Sequence, residues 1–86
     1  MIYMTKKIIY SPFYRTKDQF IASTLYALGR KIDSTEWLNN ECYFLFVDDG
    51  AKCKELTQKY YSGELKVDPR ILFDSFKTIK SILFSN

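Results

Sequence analysis

The feature that most constrains the fold is an uninterrupted apolar run of six residues, Cys42-Tyr43-Phe44-Leu45-Phe46-Val47. Side chains of a strand point alternately to opposite faces of a sheet, so a run without polar residues indicates a strand covered on both faces. Asp48, Asp49 and Gly50 end the run. We therefore expect this strand at the centre of a sheet or in its covered interior. The run is much shorter than the roughly 20 residues that span a bilayer, and no membrane association is expected.

Two weaker strands are predicted on either side of the first helix. Residues 6–13 are rich in β-branched and aromatic side chains, and Pro12 indicates that this strand ends at a sheet edge or a bulge. Residues 31–38 form the other candidate, with Ile32 and Trp37 as its apolar anchors. Asn39-Asn40 then predicts a tight turn into the apolar run, because asparagine tolerates positive φ better than most residues.

Capping residues mark three helices. Thr16 and Gln19 have the spacing of a capping box, and a helix is expected from there to Leu28, ended by Gly29 in the left-handed conformation. A second helix is expected from about Ala51 to Tyr61, capped by Asp48 or Asp49 and ended by Ser62-Gly63. Asp68-Pro69 predicts the start of a third, which should run close to Phe84. The inward residues are expected to be Phe20, Ile21, Ala22, Leu25, Ala27 and Leu28 in the first helix and Cys53, Leu56 and Tyr60 in the second.

These elements predict a single small α+β domain over residues 1–86, with residues 1–5 flexible. The sheet should be three-stranded and mostly antiparallel, packed with three helices in the order β-α-β-β-α-α. A chain of 86 residues needs a dense core, which seven Phe, seven Tyr and one Trp supply. We expect the core to contain Phe20, Trp37, Phe44, Phe46 and Phe76, and a binding face to expose Tyr14, Tyr61, Phe73 and Phe84.

The composition argues against catalysis. The chain has no histidine, the commonest general base and metal ligand at neutral pH, so neither a catalytic residue nor a bound metal or cofactor is expected. Cys42 and Cys53 cannot supply the four ligands of a structural zinc site, and we interpret them as buried thiols rather than a disulfide. The start of the chain lacks the pattern of a signal peptide, which favours the cytoplasm. Asp48-Asp49 is explained better by helix capping than by a paired-carboxylate site.

Charge is distributed unevenly along the chain. Residues 1–31 carry a net charge of +5, residues 32–58 carry −4 and residues 59–86 carry +2. The basic segment mixes aromatic and cationic residues, namely Tyr10, Phe13, Tyr14, Arg15 and Lys17, with Arg30 and Lys31 beyond the first helix. Aromatic rings that stack on bases, next to cations that neutralise phosphates, are typical of single-strand nucleic-acid binding. Ordinary solvated charge is the alternative interpretation.

The third helix has an unusually wide apolar arc. At 100° per residue, the narrow polar face consists of Arg70, Asp74, Lys77 and Ser81. Such an arc indicates either the central core helix or a helix that partly faces another chain. Lys80 lies within the arc, beside Phe73, Phe76 and Phe84. It is either a side chain that lays its methylenes over Phe76 and lifts its ammonium into water, or a cation at the edge of a binding surface.

Several segments together resemble a small bacterial and phage family defined as a domain of unknown function. They are Phe13 to Leu28, Tyr43-Phe44-Leu45-Phe46, Tyr60-Tyr61-Ser62-Gly63-Glu64 and Phe76-Lys77-Thr78-Ile79-Lys80-Ser81-Ile82. The resemblance covers nearly the whole chain and consists mostly of packing and capping positions. It implies a short prophage or mobile-element gene product, and it implies no activity.

The leading functional hypothesis is a non-enzymatic binding protein that contacts a host or phage protein stoichiometrically and modulates a nucleic-acid-handling or defence complex. Two alternatives are direct nucleic-acid binding through the basic segment, and self-assembly through the last helix. The candidate interface residues are Tyr14, Arg15, Lys17, Arg30, Lys31, Tyr61, Phe73, Lys77, Lys80 and Phe84.

Overall fold

A computed structural model describes residues 13–48 and 51–85. The elements, in chain order, are β1 (Phe13–Thr16), α1 (Gln19–Ala27), β2 (Ile32–Leu38), β3 (Glu41–Val47), α2 (Lys52–Ser62) and α3 (Pro69–Phe84). The strands form one antiparallel sheet of order β1-β3-β2. The predicted α+β class, with a three-stranded antiparallel sheet and three helices, is therefore confirmed. The predictions for residues 1–12, which include the flexible start and most of the first predicted strand, lie outside the described residues.

The apolar run forms the central strand, as predicted. Along β3 the side chains of Cys42, Phe44 and Phe46 are buried, while Tyr43 and Leu45 face the other side of the sheet and are half-buried. The three buried side chains join a core to which the helices contribute Ile21, Ala22, Leu25, Cys53 and Ile79. The helices therefore cover one face of the strand, and the expectation that both faces are buried is wrong for the described residues.

The predicted turn between β2 and β3 is also confirmed. Asn39 and Asn40 have φ values of 51° and 66°, and Leu38 pairs with Glu41 directly across the two-residue turn. Two successive positive φ angles suit the right-handed twist of a hairpin, which is the local reason for two asparagines here.

The first helix begins later than the sequence predicts. β1 continues through Thr16, a buried strand residue paired with Phe44, so the predicted Thr16 capping box is wrong. Asp18 caps α1 instead, because its carboxylate accepts from the backbone N–H groups of Phe20 at 2.8 Å and Ile21 at 3.1 Å. The Thr16 hydroxyl accepts from the backbone N–H of Asp18 at 3.1 Å and shapes the approach to the helix.

Glycines end α1 and α2 as predicted. Gly29 and Gly63 adopt the left-handed conformation after these helices, with φ values of 88° and 77°. The N-cap of α2 is Ala51, in the left-handed conformation with φ 58°, so the prediction that Asp48 occupies this position is wrong; Asp49 lies outside the described residues. The Asp48 carboxylate nevertheless accepts from the backbone N–H of Cys53, in the first turn of α2, at 2.6 Å. Asp68 caps α3 by accepting from the backbone N–H of Arg70 at 2.8 Å, and α3 reaches Phe84 as predicted.

The predicted division of the aromatic side chains is only partly correct. Phe44 and Phe46 are fully buried and Phe76 is half-buried, but Phe20 and Trp37, which were expected in the core, are 63% and 47% exposed. Of the residues expected on a binding face, Tyr61, Phe73 and Phe84 are exposed, whereas Tyr14 is half-buried and packs against the core. A large part of the aromatic content is therefore not used to fill the interior.

Candidate functional site

Four phenylalanine side chains from α1 and α3, connected by the contacts described below, form what we call the aromatic strip: Phe20, Phe73, Phe76 and Phe84. Phe73 and Phe84 are 66% and 75% exposed, and Phe20 is similarly open. The rings of Phe20 and Phe76 stack with centroids 5.5 Å apart and planes 5° from parallel, which joins α1 to α3 at the surface. Large apolar side chains grouped on the surface of a small protein indicate an interaction site.

The strip follows from the helical period of α3. Ile79 is fully buried and marks the inward direction of the helix. Phe73 and Phe84 lie about 120° and 140° around the helix from Ile79, so they point past the core rather than into it. Arg70, Asp74, Lys77 and Ser81 are all exposed, in agreement with the predicted polar face.

Lys80 lies against the strip in the manner of a cation–π contact. Its Nζ atom is 5.5 Å from the ring centroid of Phe76 and 5.6 Å from that of Phe84. An ammonium near the negative face of a ring is attracted by about 0.5–1 kcal/mol at an exposed site. The lysine is thus held at the strip while its charge remains accessible.

A groove of about 220 Å³ opens beside the strip, between α1, α2 and α3. Its lining is formed by Phe20, Ser23, Thr24, Tyr60, Leu72, Phe73 and Phe76. The Ser23 and Thr24 hydroxyls are already used: Ser23 donates to the carbonyl of Gln19 at 2.7 Å, and Thr24 donates to that of Phe20 at 2.8 Å. Apart from the hydroxyl of Tyr60, the rest of the lining is aromatic and aliphatic, so the groove suits an apolar side chain.

Tyr61 extends this surface from α2. It is 72% exposed, and its ring meets that of Tyr60 edge to face, with centroids 5.3 Å apart. Since Tyr60 lines the groove, the contact brings the predicted interface residue Tyr61 to its margin. An exposed tyrosine beside an apolar groove is a frequent anchor in protein interfaces.

Two cations of the basic segment are engaged with carboxylates from the hairpin. Arg15 Nη2 lies 3.0 Å from Glu36 Oε1, and the guanidinium carbon is 5.9 Å from the ring centroid of Tyr43. Lys17 Nζ lies 2.9 Å from Glu41 Oε2, and the hydrogen bond to that carboxylate raises the pKa of Lys17. These contacts are exposed and add little stability, but they offset the positive charge that the sequence shows at this end.

The other two cations of that segment are brought to a different part of the molecule. Arg30 and Lys31 follow α1, whose nine residues place them about 14 Å along the helix from its start. They line an open cleft of about 870 Å³ together with Tyr26, Ile71 and others, and none of the aromatic strip borders it. Arg30 and Lys31 therefore lie at the far end of α1 from Arg15 and Lys17, as the sequence predicts.

Phe20 and Trp37 are surface aromatics that the sequence interpretation placed in the core. On a helical wheel Phe20 lies close to Ser23 and Thr24, which are both buried, so the helical period does not reveal its exposure. Phe20 lies in the first turn of α1, where its ring stacks on Phe76 at the surface. Trp37 lies on an edge strand, where it borders a cleft of about 360 Å³ with Leu83 and Phe84. Its exposure follows from the limited cover at a sheet edge, which no local pattern reveals.

The two cysteines give a testable property of the interior. Cys42 and Cys53 are free and buried, and burial raises the pKa of both thiols. We expect the native protein to resist alkylation by iodoacetamide near pH 8, because the thiolate is the reactive form, and to react fully in denaturant. Because the pKa of each thiol is higher in the folded protein than in the unfolded chain, folding is favoured while the cysteines remain protonated. This stabilisation is complete below the ordinary thiol pKa and is lost as the pH rises through the raised pKa of the folded protein. Rapid labelling of the native protein, followed by mass spectrometry, would contradict this expectation.

Among residues 13–48 and 51–85, no group of three or more acidic, histidine or cysteine side chains could hold a metal ion. Within the same residues, no helix is long and apolar enough to cross a membrane. No family model, curated protein or solved structure matches the chain. The geometry of the aromatic strip and its groove is therefore the ground on which a function can be argued.

Proposed function

We propose that this protein is a small non-enzymatic binding protein that acts by stoichiometric contact between the aromatic strip and a partner protein. The observation that carries the proposal is the exposure of Phe20, Phe73 and Phe84. The apolar groove lies at the Phe20 and Phe73 end of this surface, and Lys80 connects Phe76 to Phe84 at the other end. Burying such rings against a partner removes apolar surface from water, at about 25 cal/mol per Å² of area. The partner in this proposal is a host or phage protein in the cytoplasm of a bacterial cell, as the resemblance to a bacterial and phage family implies.

The charge arrangement favours a protein over a nucleic acid as the partner. Arg15 and Lys17 are paired with Glu36 and Glu41, and Arg30 and Lys31 lie away from the strip. Single-strand binding proteins combine a continuous basic groove with their stacking rings. Of the described cations, Lys77 and Lys80 accompany the strip along α3, which suits charged contacts at the rim of a protein interface.

A capture experiment with matched variants tests the proposal. The Phe73→Ser/Phe84→Ser double variant removes two exposed rings and should change the free energy of unfolding by less than about 1 kcal/mol. We expect immobilised wild-type protein to retain a specific protein from the cells in which it naturally occurs, and the double variant to lose it. Lys80→Met should keep its stability and weaken retention. Quantitative mass spectrometry of the retained proteins measures both effects.

Ile71→Ser is the control, because Ile71 is half exposed but lies on the other side of α3, at the open cleft. Equal retention by wild-type protein and the Phe73→Ser/Phe84→Ser variant would refute the proposal. Two other results would also refute the proposal, and each would support one of the alternative functions. One is salt-sensitive binding of single-stranded DNA or RNA that depends on the strip. The other is concentration-dependent dimerisation, seen by sedimentation, that the double variant abolishes.

A further inference from the structure

The exposed side of α3 has the spacing of a helix-pairing seam. Residues 73, 77, 80 and 84 are separated by four, three and four positions, which is the alternation of a and d positions in a heptad. All four side chains are exposed, and at 100° per residue they fall within about 60° of one another. The seam carries phenylalanine at both ends and lysine at both central positions, and its length is about 17 Å.

The central lysines determine which helix can pair with this seam. A second copy of α3 would bring Lys77 and Lys80 against the same two residues, and like charges in direct contact oppose association. Neither lysine forms an ion pair with a residue of 13–48 or 51–85. Among the residues that the structure describes, no carboxylate is therefore paired with the lysines of the seam, and a partner that carries carboxylates would complement its charge.

We propose that the partner of the strip contributes an amphipathic α-helix that lies along α3, with carboxylates opposite Lys77 and Lys80 and apolar side chains opposite Phe73 and Phe84. This inference rests on the proposed function, since it assigns the chemistry of the partner at the same site. A helix laid into an apolar groove through residues one turn apart is a common mode of peptide recognition.

The geometry around Lys80 supports a carboxylate in this position. Its ammonium is held between the Phe76 and Phe84 rings at 5.5 and 5.6 Å, so less side-chain freedom is lost when a charge pair forms there. A partner helix that covers Phe84 also removes water from the lysine, which strengthens its attraction for a carboxylate.

The groove beside Phe73 provides the apolar anchor for the same helix. It is lined by residues of α1, α2 and α3 and borders the Phe73 end of the seam. An apolar side chain one turn from the acidic positions of the partner can enter it while the carboxylates contact the lysines. Anchors of this kind, surrounded by charged contacts at the rim, supply most of the binding energy of an interface.

Selection from a displayed library of helical peptides tests this inference. The contact positions, spaced as a and d of a heptad, are varied among Leu, Phe, Glu, Gln and Lys, and the bait is the full chain. We expect wild-type protein to enrich Glu at the central positions and Leu or Phe at the ends. The Lys77→Glu/Lys80→Glu variant should bind these peptides about tenfold or more weakly and enrich Lys instead.

The Lys54→Glu/Lys66→Glu variant changes the net charge equally at two exposed sites outside the strip and its groove, and it should select the same peptides as wild-type protein. The inference is overturned if no peptide is enriched, or if the enriched peptides show no acidic preference that Lys77→Glu/Lys80→Glu reverses. The proposed function is judged separately, by the dependence of partner capture on Phe73 and Phe84. A partner captured through the strip without an acidic helix would leave that function standing.

Discussion

Replacing Phe44 by alanine is expected to lower the free energy of unfolding by about 3–5 kcal/mol. Phe44 is completely buried on the central strand, where Thr16 and Thr35 pair with it from the two neighbouring strands. The change therefore leaves a cavity where sheet and helices meet. Small domains are stable by only about 5–15 kcal/mol, so much of the margin should disappear. Urea unfolding followed by circular dichroism, with the slope compared between variants, measures the loss.

Phe73→Ala is the matched control, since it deletes the same atoms from a ring that is 66% exposed. Its expected loss is below about 1 kcal/mol, because little apolar surface is withdrawn from water at this site before binding. Similar losses in the two variants would mean that Phe73 is packed in solution, which would remove the main support for the aromatic strip as a binding surface.

Features set by neighbouring residues could be predicted from the sequence. The left-handed Gly29 and Gly63, the Asn39-Asn40 turn and the Asp68-Pro69 helix start each depend on the conformational range or the hydrogen bonds of one or two residues. The central position of β3 could be predicted from its apolar run, but cover on both faces could not: only the face of Cys42, Phe44 and Phe46 is buried, and the opposite face is half-buried.

Features decided by distant contacts were harder to predict. Thr16 and Asp18 are both good cap residues, and pairing of Thr16 with Phe44 in the sheet decides between them. Phe20 and Trp37 have the size and hydrophobicity of core residues. Phe20 instead stacks on Phe76 at the surface, and Trp37 lies on an edge strand, at an open cleft that it borders with Leu83 and Phe84.

The same distinction applies to the candidate site. Exposure of Phe73 and Phe84 could be expected from the surplus of apolar residues around α3. The groove could not, because it requires α1, α2 and α3 to pack before Phe20, Tyr60 and Leu72 meet. Pairing of Arg15 with Glu36 and of Lys17 with Glu41 joins segments more than twenty positions apart, so the linear charge pattern overstated the positive field at that end.

Lysines within the strip reconcile an exposed apolar surface with solubility. Charged side chains next to hydrophobic segments oppose association of identical surfaces. Lys77 and Lys80 occupy the centre of the seam between Phe73 and Phe84, where a second copy would meet them. The same charges that disfavour self-association favour an acidic partner, so the two properties have one physical origin.

Ile79→Ala is expected to lower the free energy of unfolding by about 2–5 kcal/mol, because Ile79 is the fully buried contact of α3 with the core. Ile71→Ala, at a half-exposed position of the same helix, should lower the free energy of unfolding by less than about 1 kcal/mol, because less apolar surface is withdrawn from water there. Both changes raise the intrinsic helix propensity by the same amount, about a few tenths of a kcal/mol, so this effect cancels in the comparison. Denaturant unfolding of the pair isolates the packing of α3 from its intrinsic stability. If Ile79→Ala were as mild as Ile71→Ala, α3 would be weakly docked. The strip, which needs α3 held against Phe20, would then not exist as a fixed surface before the partner binds.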